Sequence, residues 1–200
     1  MRISISNVAW ETTHDEQVCA ILQRHGIDAI DIAPGKYFSD FAAASPEQVE
    51  RVSSWWSERG IEIIGMQSLL YGTQGLNLFS EPVIQQRMLE HLQDVCRIGD
   101  ALNARRLVFG SPRNRDRSGL SDQQAFDKAT SFFMRLGDIA HRYEVTICLE
   151  PNPECYGSNF MTSSVDTAAV VEAVAHPSIK MQFDTGALSI NREIPSMICS

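Results

Sequence analysis

Val145-Thr146-Ile147-Cys148-Leu149-Glu150-Pro151-Asn152-Pro153 is an apolar run closed by one carboxylate and broken by two prolines. A short run of this kind, rich in β-branched residues and lacking polar alternation, reads as a strand buried on both faces, as parallel strands are. A second run, Ile179-Lys180-Met181-Gln182-Phe183, ends the same way, in Asp184 followed by the turn pair Thr185-Gly186. Acidic groups just past the carboxyl ends of buried parallel strands lie where a β/α barrel keeps its chemistry: the strand fixes them and the next loop opens onto substrate. Such a pair can hold a divalent cation or move protons.

Outward from these two runs, strand-like and helix-like segments alternate. Ile3 to Ala9 reads as a strand. Asp15 to His25 reads as a helix with Val18, Ile21 and Leu22 on one face and Gly26 as its stop. Ile27 to Ala33 is a second strand, ended by Pro34-Gly35. Ser45-Pro46-Glu47-Gln48 offers an N-cap with proline at the first helical position, opening a helix that runs to Gly60. Ile61 to Gln67 and Arg106 to Phe109 are strands on either side of a long amphipathic helix, Glu81 to Leu102. A helix over Ser121 to Tyr143 leads into the strand Val145 to Leu149, and one over Thr162 to Ala175 into Ile179 to Phe183. Strands that alternate with helices pair in parallel, because each crossover needs a helix to return the chain. No Gly-rich phosphate loop follows any strand, which removes support for a dinucleotide-binding open sheet. The expected architecture is α/β, of the (β/α)8 TIM-barrel type. Such a barrel takes about 250 residues, so residues 1–200 read as one domain that stops after six β/α units, with strands seven and eight missing.

Composition sets outer bounds. A 44% hydrophobic content over 200 residues builds one sizeable core, and a net charge of −8 disfavours a nucleic-acid partner. No run approaches the roughly 20 apolar residues of a membrane span, so no membrane association is expected. Cys19, Cys96, Cys148, Cys155 and Cys199 are scattered without C-x-x-C spacing. That pattern fits reduced thiols in a cytoplasmic protein.

Leu149-Glu150-Pro151-Asn152-Pro153 and Phe183-Asp184-Thr185-Gly186, with Gly26-Ile27-Asp28-Ala29-Ile30-Asp31 earlier in the chain, resemble the xylose-isomerase-like TIM-barrel superfamily, and within it the sugar phosphate isomerase/epimerase group. The resemblance implies one divalent metal (manganese, magnesium, cobalt or zinc), held by Glu, Asp, His and Glu at the ends of strands five to eight. Glu150 and Asp184 match the first two; the other two belong to strands beyond Ser200. The metal would therefore be incompletely liganded. The implied reaction is isomerisation or epimerisation of a small sugar, sugar phosphate or related keto compound by proton transfer next to a carbonyl, with Glu150 as both ligand and acid/base. Dehydratases of the superfamily share these motifs. Its apurinic endonucleases need histidines at the ends of strands three and four, where this chain has Met66-Gln67-Ser68 and Phe109-Gly110-Ser111. A truncated, catalytically silent domain that binds a ligand or partner is the alternative. Its unpaired strand edges would favour a homo-oligomer.

Other candidates follow from position. Gln67, at the end of strand three, is placed to hydrogen-bond a hydroxyl-rich ligand. Trp10 and Lys36 follow strands one and two onto the same face. Arg113 and Arg115 lie in an arginine-rich loop after strand four, suited to an anionic substituent. Asn152 follows Glu150 in its loop. Epimerases of the resembled group often have a histidine three residues after the strand-six Asp; Ala187 stands there, with Asn191 as a polar substitute.

Overall fold

The computed structural model describes residues 2–198. Six strands form one sheet in chain order, every neighbouring pair parallel: β1 (Ile5–Ser6), β2 (Ala29–Ile32), β3 (Glu62–Met66), β4 (Arg106–Phe109), β5 (Thr146–Leu149) and β6 (Ile179–Met181). Between them run α1 (Asp15–Arg24), α2 (Pro46–Ser57), α3 (Pro82–Ala101), α4 (Asp122–Arg142) and α5 (Ser164–Val174). After β6 come α6 (Thr185–Asn191) and the short α7 (Pro195–Ile198). The alternation read from the sequence is the alternation in space.

Local chemistry sets the helix starts. Ser45 and Ser121 each accept the backbone N–H three residues on, and Gln48 and Gln124 return the bond, so α2 and α4 both begin with a capping box. Proline at the first position of α2 and α3 brings a φ already suited to a helix.

Two strands are shorter than their apolar runs. Ile3 to Ala9 yields only Ile5–Ser6, because the Ser6 side chain accepts from Val8 N and folds Asn7–Ala9 into a 3-10 turn. Ile179 to Phe183 yields Ile179–Met181, although Gln182 N still donates to Leu149 O at 2.7 Å. The chain leaves the ladder there and turns into α6.

Helices pack against the sheet through their apolar stripes. Phe132, Phe133, Leu136 and Ala140 of α4 are buried, and Phe133 meets Phe109 of β4 edge-to-face with centroids 5.3 Å apart. Trp56 of α2 is 1% exposed and stacks edge-on to Trp55, so this pair packs the core as aromatic pairs in helices usually do. Cys19, Cys96 and Cys148 are free and buried; burial pushes the Cys96 thiol up to about 12. Cys199 lies outside the described residues. No helix among them is long and apolar enough to cross a membrane.

The β2–β3 register slips once, between Ile30 and Asp31, which sets Asp31 opposite Gly65. A Cβ on Gly65 would fall on Asp31 Oδ1 and lie 2.9 Å from the Arg106 backbone oxygen. Asp31 also accepts a hydrogen bond from Ser4 Oγ, which ties the approach to β1 onto β2. Glycine at this place is what lets a carboxylate lie against the sheet interior.

Candidate functional site

Glu150 sits one residue beyond β5, still in the ladder through its N–H to Phe109 O at 3.1 Å. Pro151 then ends the strand. Asn152, buried and fixed by its own N–H to Met161 O at 2.9 Å, reaches back with Nδ2 to Glu150 Oε2 at 3.2 Å. The carboxylate lies over Gly110, the residue after β4, where a Cβ would fall on Oε2 and lie 3.1 Å from Cδ. Sequence reasoning missed Gly110. The available signal was a residue without a side chain beside the strand end that carries the carboxylate.

Burial is the main reason the Glu150 carboxyl titrates above its ordinary value. The Asn152 hydrogen bond opposes the shift, the charge of Asp184 adds to it, and the charge of Arg115 opposes it. The charge of Asp184 acts on Glu150, so the two strand ends place these side chains within electrostatic reach of each other. A carboxylate held at raised basicity in a cleft suits proton transfer.

Gly110→Ala should therefore separate folding from function. Gly110 does not have a positive φ, so alanine fits its backbone, and the clashing atoms belong to the movable end of a side chain. Stability should stay within about 0.5 kcal/mol of the parent. Any Glu150-dependent rate should fall about 100-fold, the cost of an ångström-scale misplacement of a reacting group. A parental rate in a folded Gly110→Ala protein would show that the carboxylate does not act from this position.

Arg115 contradicts its expected role as an anion contact. Its side chain is fully buried; Nη1 donates to Glu150 O at 2.8 Å, Nη2 to Gly110 O at 3.5 Å, and Nε has no partner. Burial lowers its pKa to about 10, with the Glu150 charge acting the other way. The guanidinium lies behind the β4 and β5 ends and braces them. Arg113, in the same turn, is exposed.

Lys36 and Asn191 are also committed to the protein itself. Lys36 Nζ donates to Trp10 O at 2.6 Å, Asn7 O at 3.1 Å and Glu11 Oε1 at 3.3 Å, cross-linking the loops after β1 and β2. Asn191 Nδ2 donates to Thr162 O at 2.9 Å and Glu193 Oε1 at 3.3 Å, bracing α6 against the start of α5 rather than replacing a group at the buried Ala187. Trp10 Nε1 donates to Asp15 Oδ1 at 2.7 Å, and its ring packs near Trp56. None of these three side chains lines the cavity beside Glu150.

A cavity of about 260 Å³ opens beside Glu150, walled by residues 67–71 after β3 and 108–112 around the end of β4. It unites two of the expected site residues, Gln67 and Glu150. The wall from Ser68 to Tyr71 was not foreseen, since a loop of mixed polarity carries no periodic signal. Tyr71 stands 83% exposed at its rim.

Asp184 caps α6: Oδ1 accepts from Gly186 N at 2.7 Å and Ala187 N at 3.1 Å. That leaves Oδ2, and Glu150 Oε1, without hydrogen-bond partners among the described residues. Two hard carboxylate oxygens are the right kind of donor for a divalent cation. They fit such an ion in chemistry, and they supply part of a shell: no group of three or more His, Cys, Asp or Glu able to hold a metal occurs among the described residues.

Parallel strands in chain order, crossed over by helices and bearing carboxylates at their carboxyl ends, define a protein of the β/α-barrel class. The sequence pattern of the xylose isomerase-like TIM barrels matches residues 19–197, and the chain belongs to that family. No curated protein matches the chain in sequence. Among solved structures, D-psicose 3-epimerase with D-tagatose from Clostridium cellulolyticum H10 is 17% identical with a TM-score of 0.79, covering 99% of this chain and 68% of its own. A probable 3-DHS dehydratase, AsbF from Bacillus anthracis, is 12% identical with a TM-score of 0.72, covering 99% and 68%. The IOLI protein with a binding zinc atom is 14% identical with a TM-score of 0.71, covering 97% and 66%. At these identities the likeness is one of fold, and the chain spans about two thirds of each structure's length.

Proposed function

We propose that this chain carries the strand-five and strand-six part of a metal-assisted isomerase or epimerase site for a small sugar, sugar phosphate or related keto compound. The observation that carries this reading is Glu150: a partly buried carboxylate of raised basicity, seated over Gly110, held by Asn152 and opening onto a cavity. Glu150 and Asp184 would hold the cation, which when bound polarises a substrate carbonyl. Glu150 takes the proton from the carbon next to that carbonyl, leaving an enediolate, and a second acid delivers a proton to its other face or to the neighbouring carbon, which gives the epimer or the isomer. Asn152 keeps the carboxylate aimed, and Leu69, Leu70 and Phe109 supply the apolar part of the wall beside it. Membership of the family and the epimerase neighbours support the reaction class. A dehydratase among the same neighbours marks the nearest variation on it.

A second reading, ligand binding without turnover, is favoured by one observation. Asp184 already has a structural task, capping α6, which accounts for one of its two oxygens. The readings part in heavy water. The protein, supplied with Mn²⁺ and a ketose, should exchange the ketose α-hydrogen for deuterium by NMR, and a chelator should stop the exchange. Ketose binding with no exchange at any metal loading would leave only the second reading.

A further inference from the structure

We propose that a second cavity, between the starts of α4 and α5 and the loop after β5, binds a small organic cation: an apolar body about one ring in size that carries an ammonium or guanidinium group. Its volume is about 370 Å³, at the lower end of the roughly 300–1,000 Å³ of small-molecule sites. It shares no wall residue with the cavity beside Glu150, so its occupant is independent of the isomerase reading. Much of the wall is apolar. Ala125 and Phe126 come from α4, Ala169 and Val170 from α5, and Phe160 and Met161 from the loop. Phe160 is held by Phe79, which meets it edge-to-face with centroids 4.9 Å apart. Phenyl rings bury an apolar ligand body and also attract a cation over their faces.

The polar groups of the wall set the sign of the ligand. Each donor-bearing side chain already holds an acceptor. Arg117 donates from Nε to Asn159 O at 2.7 Å and pairs with Asp122 at 2.6 Å. Asn159 Nδ2 donates to Asp116 Oδ1 at 2.6 Å, and Thr162 Oγ1 to Asp166 Oδ2 at 3.3 Å. Helix N-termini attract anions, and α4 and α5 both begin here. Their leading N–H groups are taken: Gln124 N by Ser121 Oγ at 3.3 Å, Asp166 N by Ser163 Oγ at 3.1 Å and Ser164 N by Glu193 Oε1 at 3.0 Å. Asp122 and Asp166 already set negative charge in the two first turns. Acceptors are left over. Glu154 is exposed, and its carboxylate makes no hydrogen bond or ion pair among the described residues. Asp166 takes the Thr162 hydroxyl through Oδ2, which leaves Oδ1. Asp122 balances Arg117, so the charges in excess are those of Glu154 and Asp166, both negative. A ligand that matches this wall donates hydrogen bonds, carries positive charge and buries an apolar body.

The test titrates the 200-residue chain, methyl-labelled at methionine and alanine, with benzylammonium, benzyl alcohol and benzoate. The Met161 and Ala169 signals are followed up to about 10 mM, where fragment-sized ligands register. Benzylammonium should bind about tenfold more tightly than benzyl alcohol, and benzoate more weakly than either. Salt raised from about 0.05 M to about 0.5 M should weaken the amine and leave the alcohol unchanged. Glu154→Gln combined with Asp166→Asn should bring the amine down to the affinity of the alcohol. Ala169→Phe, which fills the cavity, should abolish the binding of both. Benzyl alcohol or benzoate binding as tightly as the amine would overturn the assignment of a cation. An amine that binds undiminished to Ala169→Phe, or that moves neither Met161 nor Ala169, would overturn the site itself, and the hydrogen exchange expected at Glu150 stands apart from either outcome.

Discussion

Glu150→Gln should lose at least a thousandfold in α-hydrogen exchange and gain stability in the same substitution. The loss follows because glutamine keeps the shape but cannot accept the proton; positioned acid/base groups contribute about 10²–10⁴-fold, and here the same side chain also gives up a cation ligand. The gain follows from linkage. Burial raises the Glu150 carboxyl above its ordinary 4.5, so the folded state binds this proton more tightly than the unfolded state does. Folding stability then falls as pH rises from about the unfolded value through the raised folded one, and above that window the buried charge is a fixed cost. Glutamine removes the cost. Thermal unfolding of metal-free protein should place Glu150→Gln above the parent at pH 7, with the two converging near pH 4. A variant that is less stable than the parent at pH 7 would show that the ionised carboxylate is stabilised where it lies, against the direction assigned to burial.

Gly65→Ala should cost about 3 kcal/mol of folding stability, the upper part of the range for overpacking a close-packed interior. Unlike the contact at Gly110, one neighbour here is the Arg106 backbone oxygen, 2.9 Å from the added Cβ, and a strand in mid-ladder cannot swing aside. The other neighbour, Asp31, would have to leave the space opposite Gly65 and strain its bond with Ser4. Urea unfolding would measure the change as a lower midpoint at unchanged slope. A difference under about 1 kcal/mol would mean that β2 and β3 can re-register around the methyl group. The two glycines thus make a matched pair: one holds open a place for function, the other for the sheet.

The order of elements was legible because parallel strands buried on both faces leave apolar runs that stand out against amphipathic helices. The run before Glu150 and the run before Asp184 gave strand type and the facing of both carboxylates at once. What failed was anything decided by a side chain's length and reach. Arg115 reads as a surface cation in an arginine-rich loop, yet a guanidinium can extend back under the strand ends and bond carbonyls, an outcome that local composition does not encode. Lys36 and Asn191 were misread for the same reason: position near the mouth was visible, and the acceptor each side chain finds was not. Gly110 and Gly65 were missed because their contribution is an absence of atoms, legible only when the neighbour that fills the space is known. Strand one was overextended because a serine cap competes with the ladder within a single residue.

Because the sheet is laid down in chain order, each strand finds its partner in the unit just before it. Loop-closure entropy grows only slowly with length, and no strand here has to await a remote segment before it can pair. The chain can therefore gain structure progressively as it leaves the ribosome, α2 to α5 each packing against the strand that follows it. Glu150 and Asp184 belong to the last of these steps. On such a route the first four strands are organised before either of these two carboxylates, and the pair arrives on a platform already built.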